Sequence, residues 1–600
     1  MANRAEGSSY MEQGDRVRPR TTRPTIYGLR SVISTGHWLT THAGVRMLLA
    51  GGNAFDATVA AVFAAAVVEP ASSFSFGSEA VFTFSDARGG RLGTLCGQGG
   101  APARATLDHF ASLGLGCIPT GPGRGAPLAF TTPGMFGAAL AMLSDYGTKS
   151  FAEAIEPALD YARDGIANYE YMVNRIEPAA LSQFDLFPPG GSDVFFTNRR
   201  SNTPGTRMRQ AALAATLTHL RDASEAAEGY RRDKIAAARR CFYTGEIARM
   251  ITEEVAAVGG LLGAEDLAGF REEIEEPVST SFQGYEIHGQ SFWSQAPIMM
   301  QVLNMLESID LVALGHNSAQ YVHVLTETMK LAFADREAFY GDPDFTPIPK
   351  AGLLDKAYAR ARAELIDPAT AARALPEPGA PWLFSGEAEQ NVIPVEWADV
   401  TPSLEKLESG TTHISVVDGE GNFVAATPSG GAFSKSVFLS KLGFTLSTRS
   451  EMFNLVPGHP NCLAPGKRPR TSLVSYLVTK GGEPVMTVGC PGGDAQVQAN
   501  LQIFLNTVLW KMKPQEAVEA PRFATMAVPN SFYPHTYHKG KLALEDGFDA
   551  AVIAELERRG HEITRVATCG MGATITSREA ATGVLATSAD PRRSCYAYGW

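Results

Sequence analysis

Residues 409–426 read SGTTHISVVDGEGNFVAA, which puts two threonines and a histidine at the head of an apolar strand. Threonine is common in strands, so taken alone Thr411, Thr412 and His413 read as ordinary strand residues. The chemical alternative is that one hydroxyl is a nucleophile, which requires a base to take its proton. Lys467 and Arg468 in GKRPR could, by themselves, hold a phosphate. The Gly492-Gly493 pair reads on its own as a turn. No HExxH spacing is present, and Cys96, Cys117, Cys241, Cys462, Cys490, Cys569 and Cys595 are scattered singly. Neither a zinc ribbon nor a dithiol motif is supported, and no metal or other cofactor is implied.

These groups need elements to position them. A helix is expected from near His42, and another over Ala54–Val68 in the run ATVAAVFAAAVVEP, which is too short to span a bilayer. Strands follow around Glu79–Ser85 and Leu92–Cys96. Phe151–Arg163 places Phe151, Ile155, Leu159 and Ala162 on one helical face. Residues 319–339 read as a strong helix ended by a GDPD turn, and 119–127 and 187–205 as loops. Strand, tight turn and returning strand recur at 414–425 and at 474–488, and a long helix over 494–511 follows the glycine pair. Helices packed on hairpin sheets predict an α+β layered sandwich. Residues 1–25 read as a loosely attached arm, and 366–409 as an exposed connector.

With 44% hydrophobic and 19% charged residues in 600, the chain has the composition of a globular protein. Its net charge of −11 and lack of a basic stripe argue against nucleic acid as a partner. The densest charge run, 221–240, mixes acids with its arginines and reads as a solvated helix face. There is no signal-peptide h-region, and the dispersed cysteines suit a reducing compartment, so a cytoplasmic location without membrane attachment is expected.

Several segments together resemble the γ-glutamyltransferase family of N-terminal-nucleophile hydrolases: LLAGGNAFDATVAA, YVHVLTETMKLAFADREAFYGDPDF, GTTHISVVDGEGNFVAAT, APGKRPRTSL, VGCPGGDAQVQANLQIFLNTV and PQEAVEAPRF. They occur in the family's order across residues 25–600. The resemblance implies an αββα sandwich built from two autoprocessed segments, a large subunit 26–410 and a small subunit 411–600. The precursor would break between Gly410 and Thr411 through an ester intermediate, and the freed α-amine, with a reference pKa of about 7.7–8.0, would be the base for Thr411. Ser429 matches the family's second hydroxyl beside the nucleophile. Gly492 and Gly493 match its oxyanion-hole pair, and Thr471 and Ser472 the hydroxyls that hold a substrate carboxylate. Thr412 and His413 would shape the nucleophile's surroundings, and Lys467 and Arg468 would pin the loop before Thr471. His42, Asn53, Asp56, Asp335 and Arg336 would be buried hydrogen-bonding residues.

The departures bear on the substrate. Gln98 stands where glutamyl-transferring members have a carboxylate-binding arginine, and Met452 where they have an ammonium-binding aspartate. Gly431 replaces an asparagine, Arg449 a glutamine or glutamate, and only four residues separate PGHPN from GKRP, too few for a lid loop. Loss of an ion-pair partner discriminates against the amine-bearing glutamyl group. The expected substrate is a small molecule with an acidic, oxalyl-like acyl group, cleaved at an amide or, as in antibiotic-pathway branches, at a carbon–carbon bond. Glu451 would share a face with Arg449 in an extended segment and could neutralise it; otherwise Arg449 is a cation beside Thr411. The alternatives are a genuine glutathione hydrolase or transpeptidase, and a non-catalytic paralogue.

Overall fold

The computed structural model describes residues 21–176, 178–396 and 410–600. In chain order its main strands are β1 (Ile26–Gly28), β2 (Ser31–Thr35), β3 (Glu79–Asp86), β4 (Arg91–Gly97), β5 (Glu273–Glu275), β6 (Val278–Phe282), β7 (Tyr285–Gly289), β8 (Ile414–Asp418), β9 (Phe423–Ser429), β10 (Tyr476–Lys480), β11 (Glu483–Gly489), β12 (Thr574–Arg578), β13 (Leu585–Thr587) and β14 (Tyr596–Gly599). They form two sheets, ordered β14-β2-β8-β9-β3-β4-β5 and β1-β13-β12-β11-β10-β7-β6. Both sheets draw strands from either side of position 410.

The sheets stack face to face, and helices cover the two outer faces. On the first sheet lie α1 (Trp38–Leu49) and α2 (Ala54–Val68), with α3 (Phe151–Asp164) packed on α2 and the short α4 (Glu170–Arg175) nearby; on the second lie α5 (Ala296–Leu306) and α7 (Ala495–Val508), with α6 (Ala319–Phe339) packed on α5. Every residue of α2 is buried, which its small side chains allow. Its start is fixed by a capping box: Asn53 Oδ1 accepts from the Asp56 N–H, and Asp56 returns a bond to the Asn53 N–H. Helix α1 begins at Trp38 with the His37 side chain as cap, earlier than the sequence suggests. His42 is exposed on α1 and bonds Tyr161 Oη at 2.7 Å, a correction to its reading as a buried residue.

Two large apolar clusters lie under the helices, one on each outer face. The seam between the sheets is mixed, with a small apolar cluster of Val32, Val417, Phe423, Leu477 and Leu585 beside polar contacts. Gln290 Nε2 donates to Thr83 Oγ1 at 2.7 Å and to Ser475 Oγ at 2.8 Å, and Thr574 Oγ1 donates to Ser415 Oγ at 3.0 Å. Short polar side chains let the backbones approach and satisfy one another there.

Residues 1–20 of the expected arm and 397–409 of the expected connector lie outside the described residues. Residues Thr22 and Arg23 are tied down through bonds to Glu519 and to the Cys595 carbonyl, which corrects the loose-arm reading at that end. Residues 366–396 are irregular apart from the turn Trp382–Ser385. No helix among the described residues is long and apolar enough to cross a membrane.

The imidazole of His413, ahead of β8, lies flat on Gly489 at the end of β11, where an added Cβ would stand 1.8 Å from the ring. Gly489→Ala is expected to destabilise the fold by about 1–3 kcal/mol, the usual cost of overpacking a core. A thermal midpoint equal to wild type would show that the two sheets separate more easily than this contact implies.

Candidate active site

Thr411 precedes β8, a central strand paired to β2 on one side and β9 on the other. Its backbone is held from two directions: its N–H donates to the Ser72 carbonyl, and its own carbonyl accepts from Arg593 Nη1. Arg593 also reaches Ser72 Oγ and, at 3.2 Å, Glu69 Oε2 just past the end of α2. Thr411 has φ +82°, a left-handed conformation that a β-branched residue rarely adopts. Gly410 has no room for a side chain, because a Cβ would lie 2.4 Å from Ser73 Oγ.

The Oγ1 of Thr411 lies 2.8 Å from Ser429 Oγ, at the end of β9. Ser429 in turn accepts from Arg449 Nη2 at 2.8 Å, and Arg449 Nε donates to Glu79 Oε1. Glu79 faces Ser429 across the β3–β9 pairing. With one lone pair of Ser429 taken by a guanidinium, its hydroxyl proton is available to Thr411 Oγ, where it stabilises developing negative charge. Burial pushes the Glu79 carboxyl upward in pKa, while Arg449 pulls it back.

Residues 446–453 are therefore not extended. Arg449–Met452 is a tight helical turn, and Glu451 faces Lys435 Nζ at 3.3 Å and the Tyr533 N–H at 3.1 Å. Glu79, distant in sequence, neutralises Arg449. Of the two readings of Arg449, neutralised by Glu451 or a cation at the cavity, the structure gives a third arrangement: it lines the cavity and is paired with Glu79.

Thr411, Ser429, Arg449, Gly410 and Gly493 line one cavity of about 320 Å³. Gly492 (φ +135°) and Gly493 (φ +55°) precede α7 in conformations suited to glycine. Among the described residues neither of their N–H groups has a protein acceptor, and of the two glycines Gly493 lines the cavity whereas Gly492 does not. Asp494, beside them, is fixed by Arg336 Nη1 at 2.6 Å.

Other expected site residues lie elsewhere. Thr471, Ser472 and Met452 are buried and do not line this cavity. Gln98 lines a separate cavity of about 420 Å³ and donates through Nε2 to the Pro469 carbonyl. Arg468 sits there too, among Asp342, Asp344, Glu273 and Glu275, which anchors the GKRPR loop without leaving the arginine open to a phosphate. Thr412 is buried against Gly36, and His413 bonds Thr427 Oγ1 at 2.7 Å and Ser415 Oγ at 3.1 Å. Burial lowers the His413 pKa to about 3, so it is a neutral core residue.

Sequence reasoning missed Glu69, Glu79, Arg175 and Arg593. Glu69 had a signal in the VVEP segment, whereas the partnerships of Glu79 and Arg593 appear only on folding. One group of metal-ligand types, His323, Glu327 and His561, also forms away from the cavity. The Lys330 ammonium stands 2.7 Å from Glu327, where it supplies the cation itself.

A layered αββα sandwich with a hydroxyl poised at the head of a central strand defines an N-terminal-nucleophile hydrolase fold. Residues 40–600 match the family Gamma-glutamyltranspeptidase, and the chain belongs to it. The Acylase ACY 1 proenzyme of Pseudomonas sp. (strain SE83) is 33% identical over 554 residues, covering 90% of this chain and 88% of its own. The Glutathione hydrolase-like YwrD proenzyme of Bacillus subtilis (strain 168) is 30% identical over 582 residues, covering 96% and 99%. The solved structure of LmbA2991HD superposes with TM-score 0.88 at 36% identity, covering 97% of this chain and 100% of that one.

Buried neutral histidines make stability depend on pH. Burial lowers the pKa of His413 to about 3, of His459 to about 4 and of His561 to about 3. An unfolded chain takes up these protons near pH 6.5, so between that value and the folded pKa values the unfolded state binds more protons. Stability is then complete above about pH 6.5 and falls as pH drops, by up to about 1.4 kcal/mol per pH unit for each such histidine. Thermal unfolding from pH 7.5 to 5 checks this, and a flat midpoint would contradict it.

Proposed function

We propose that this chain is the precursor of a threonine hydrolase that cuts itself between Gly410 and Thr411. The observation that carries the proposal is the placement of Thr411. Its Oγ is 2.8 Å from a hydroxyl held by a guanidinium, and its backbone is strained directly after a glycine with no space for a side chain. Thr411 Oγ attacks the Gly410 carbonyl, the acyl group moves from nitrogen to oxygen, and water hydrolyses the ester. Cutting the bond ends the constraint on φ and so releases a strain of about 1–3 kcal/mol. The products are a large chain ending at Gly410 and a small chain beginning at Thr411.

In the mature enzyme the freed Thr411 α-amine takes the Oγ proton as Oγ attacks a substrate carbonyl. The N–H groups of Gly492 and Gly493 receive the oxyanion, and Ser429, set by Arg449 and Glu79, steadies Oγ. An acyl-Thr411 ester forms, the leaving group takes the proton, and water releases the acid.

The bond cleaved is an amide or a related acyl bond, in keeping with the acylase and glutathione hydrolase-like names of the relatives. Gln98 and Met452 lie outside the Thr411 cavity, so the preference for an acyl group that is acidic and lacks an α-amine rests on the cations that line it, Arg175, Lys435 and Arg449. An acidic, oxalyl-like group fits this, and carbon–carbon hydrolysis is the variant in which the leaving atom is carbon.

Denaturing electrophoresis tests the proposal: the 64.1 kDa chain should appear as bands of roughly 44 and 20 kDa. Thr411→Ala should remain one folded chain with no turnover, and self-cleavage by that variant would overturn the assignment. Ser429→Ala should still fold and lose about 10–100-fold in kcat, the scale of one supporting hydrogen bond at a nucleophile. Wild-type kcat in that variant would reduce Ser429 to packing.

A further inference from the structure

Three cations line the cavity at Thr411: Arg175, Lys435 and Arg449. Two of them face carboxylates of the protein, Arg449 at Glu79 and Lys435 at Glu451. Arg175 does not. It ends α4, is half-buried, and among the described residues no carboxylate lies within ion-pair distance of it. Its guanidinium stands 6.0 Å from the centre of the Tyr171 ring. The same ring carries Arg593 at 5.0 Å, the guanidinium that donates to the Thr411 carbonyl. Arg175 is thus separated from the backbone clamp of the nucleophile by a single aromatic ring.

The remaining wall is mixed: Pro70, Ile176, Ala180, Phe433 and Phe532 form an apolar part, and Ser73, Ser434, Thr448 and Glu451 a polar one, the Glu451 carboxylate being the one that faces Lys435. At about 320 Å³ the cavity holds roughly ten groups of water size, ~30 Å³ each. That is far more than a two-carbon acyl unit fills.

We propose that Arg175 is the specificity-determining residue, receiving a substrate carboxylate remote from the scissile bond while the apolar part of the wall takes the body that joins the two. The inference rests on the Thr411 hydrolase reading and deepens it, moving the choice of an anionic substrate from Arg449, whose charge is already answered, to Arg175. A half-buried planar guanidinium with no acid beside it among the described residues pairs well with a carboxylate and discriminates against a neutral isostere. The carboxylate can belong to the acyl side, as in a dicarboxylic monoamide, or to the leaving side.

Three chromogenic amides separate these cases: glutaryl-p-nitroanilide, butyryl-p-nitroanilide, and the butyryl amide of 5-amino-2-nitrobenzoate. In Arg175→Ala the kcat/KM of an anionic amide relative to the neutral one should fall about 10–100-fold, mainly through KM. Arg175→Lys should keep part of the preference. A fall confined to the glutaryl amide places the carboxylate on the acyl side, and one confined to the nitrobenzoate amide places it on the leaving side. An unchanged ratio for both anionic amides overturns the proposal. Calorimetric titration of glutarate and neutral glutaramide into the full chain reads the same contact without turnover. The wild type should prefer glutarate and Arg175→Ala should not; no preference in the wild type is fatal to the Arg175 assignment. A wild type that stays one chain on a denaturing gel would instead sink the Thr411 reading, and the titration would still report on Arg175.

Discussion

The site depends on how the backbone of Thr411 is clamped. Its N–H and carbonyl are both taken, by Ser72 and by Arg593, and Arg593 is itself held by Glu69. Glu69 closes α2, a helix buried along its whole length and capped at its start by Asn53 and Asp56. The position of Thr411 is thus set by a helix buried along its whole length and by Arg593, far along the chain. A positive φ in a threonine persists only where the surroundings over-determine it, and this clamp provides that over-determination.

A second constraint is the buried charge behind Ser429. Arg449 and Glu79 are both almost fully buried, and removing two ions from water is costly unless geometry and further hydrogen bonds offset it. The guanidinium spends one N–H on Glu79 and another on Ser429, so the pair converts a desolvation cost into orientation of a hydroxyl. Phe532 lies against both Arg449 and Lys435, at 5.1 and 4.7 Å from ring centre to cation. The aromatic face limits water at the ion pairs and gives the cations a favourable contact.

Much of this was legible in the sequence, and the reasons are local. Helix α2 and helix α6 occupy the spans that their apolar patterning predicts, Ala54–Val68 and Ala319–Phe339. The two hairpins, β8 with β9 and β10 with β11, follow from alternation around glycine turns. Position 411 was singled out by the family resemblance of GTTHISVVDGEGNFVAAT, since by its own neighbours it reads as an ordinary strand residue. What failed were assignments that depend on distant partners. Arg449 finds its acid 370 residues away, while the nearer Glu451 turns to Lys435 because Arg449–Met452 coils. His42 sits in a matched motif, yet the register of α1 leaves it exposed. Arg175 carries no local signal; its place in the cavity wall appears only on folding.

The strand order has one more consequence. In the first sheet β8 lies between β2 and β9, and β2 is flanked in turn by β14, so segments from before and after position 410 alternate across the hydrogen-bonded ladder. In the second sheet β1 caps one edge, beside β13, and β7 and β6 continue the other, beyond β10. A chain cut at position 410 is therefore woven rather than merely docked. Its two pieces cannot part by opening a surface, because parting them strips the β2–β8 and β9–β3 ladders inside the first sheet and the β1–β13 and β10–β7 ladders of the second. Exchange of pieces between molecules would require breaking those ladders, and a terminus formed at Thr411 would stay registered beside Ser429 while the fold holds.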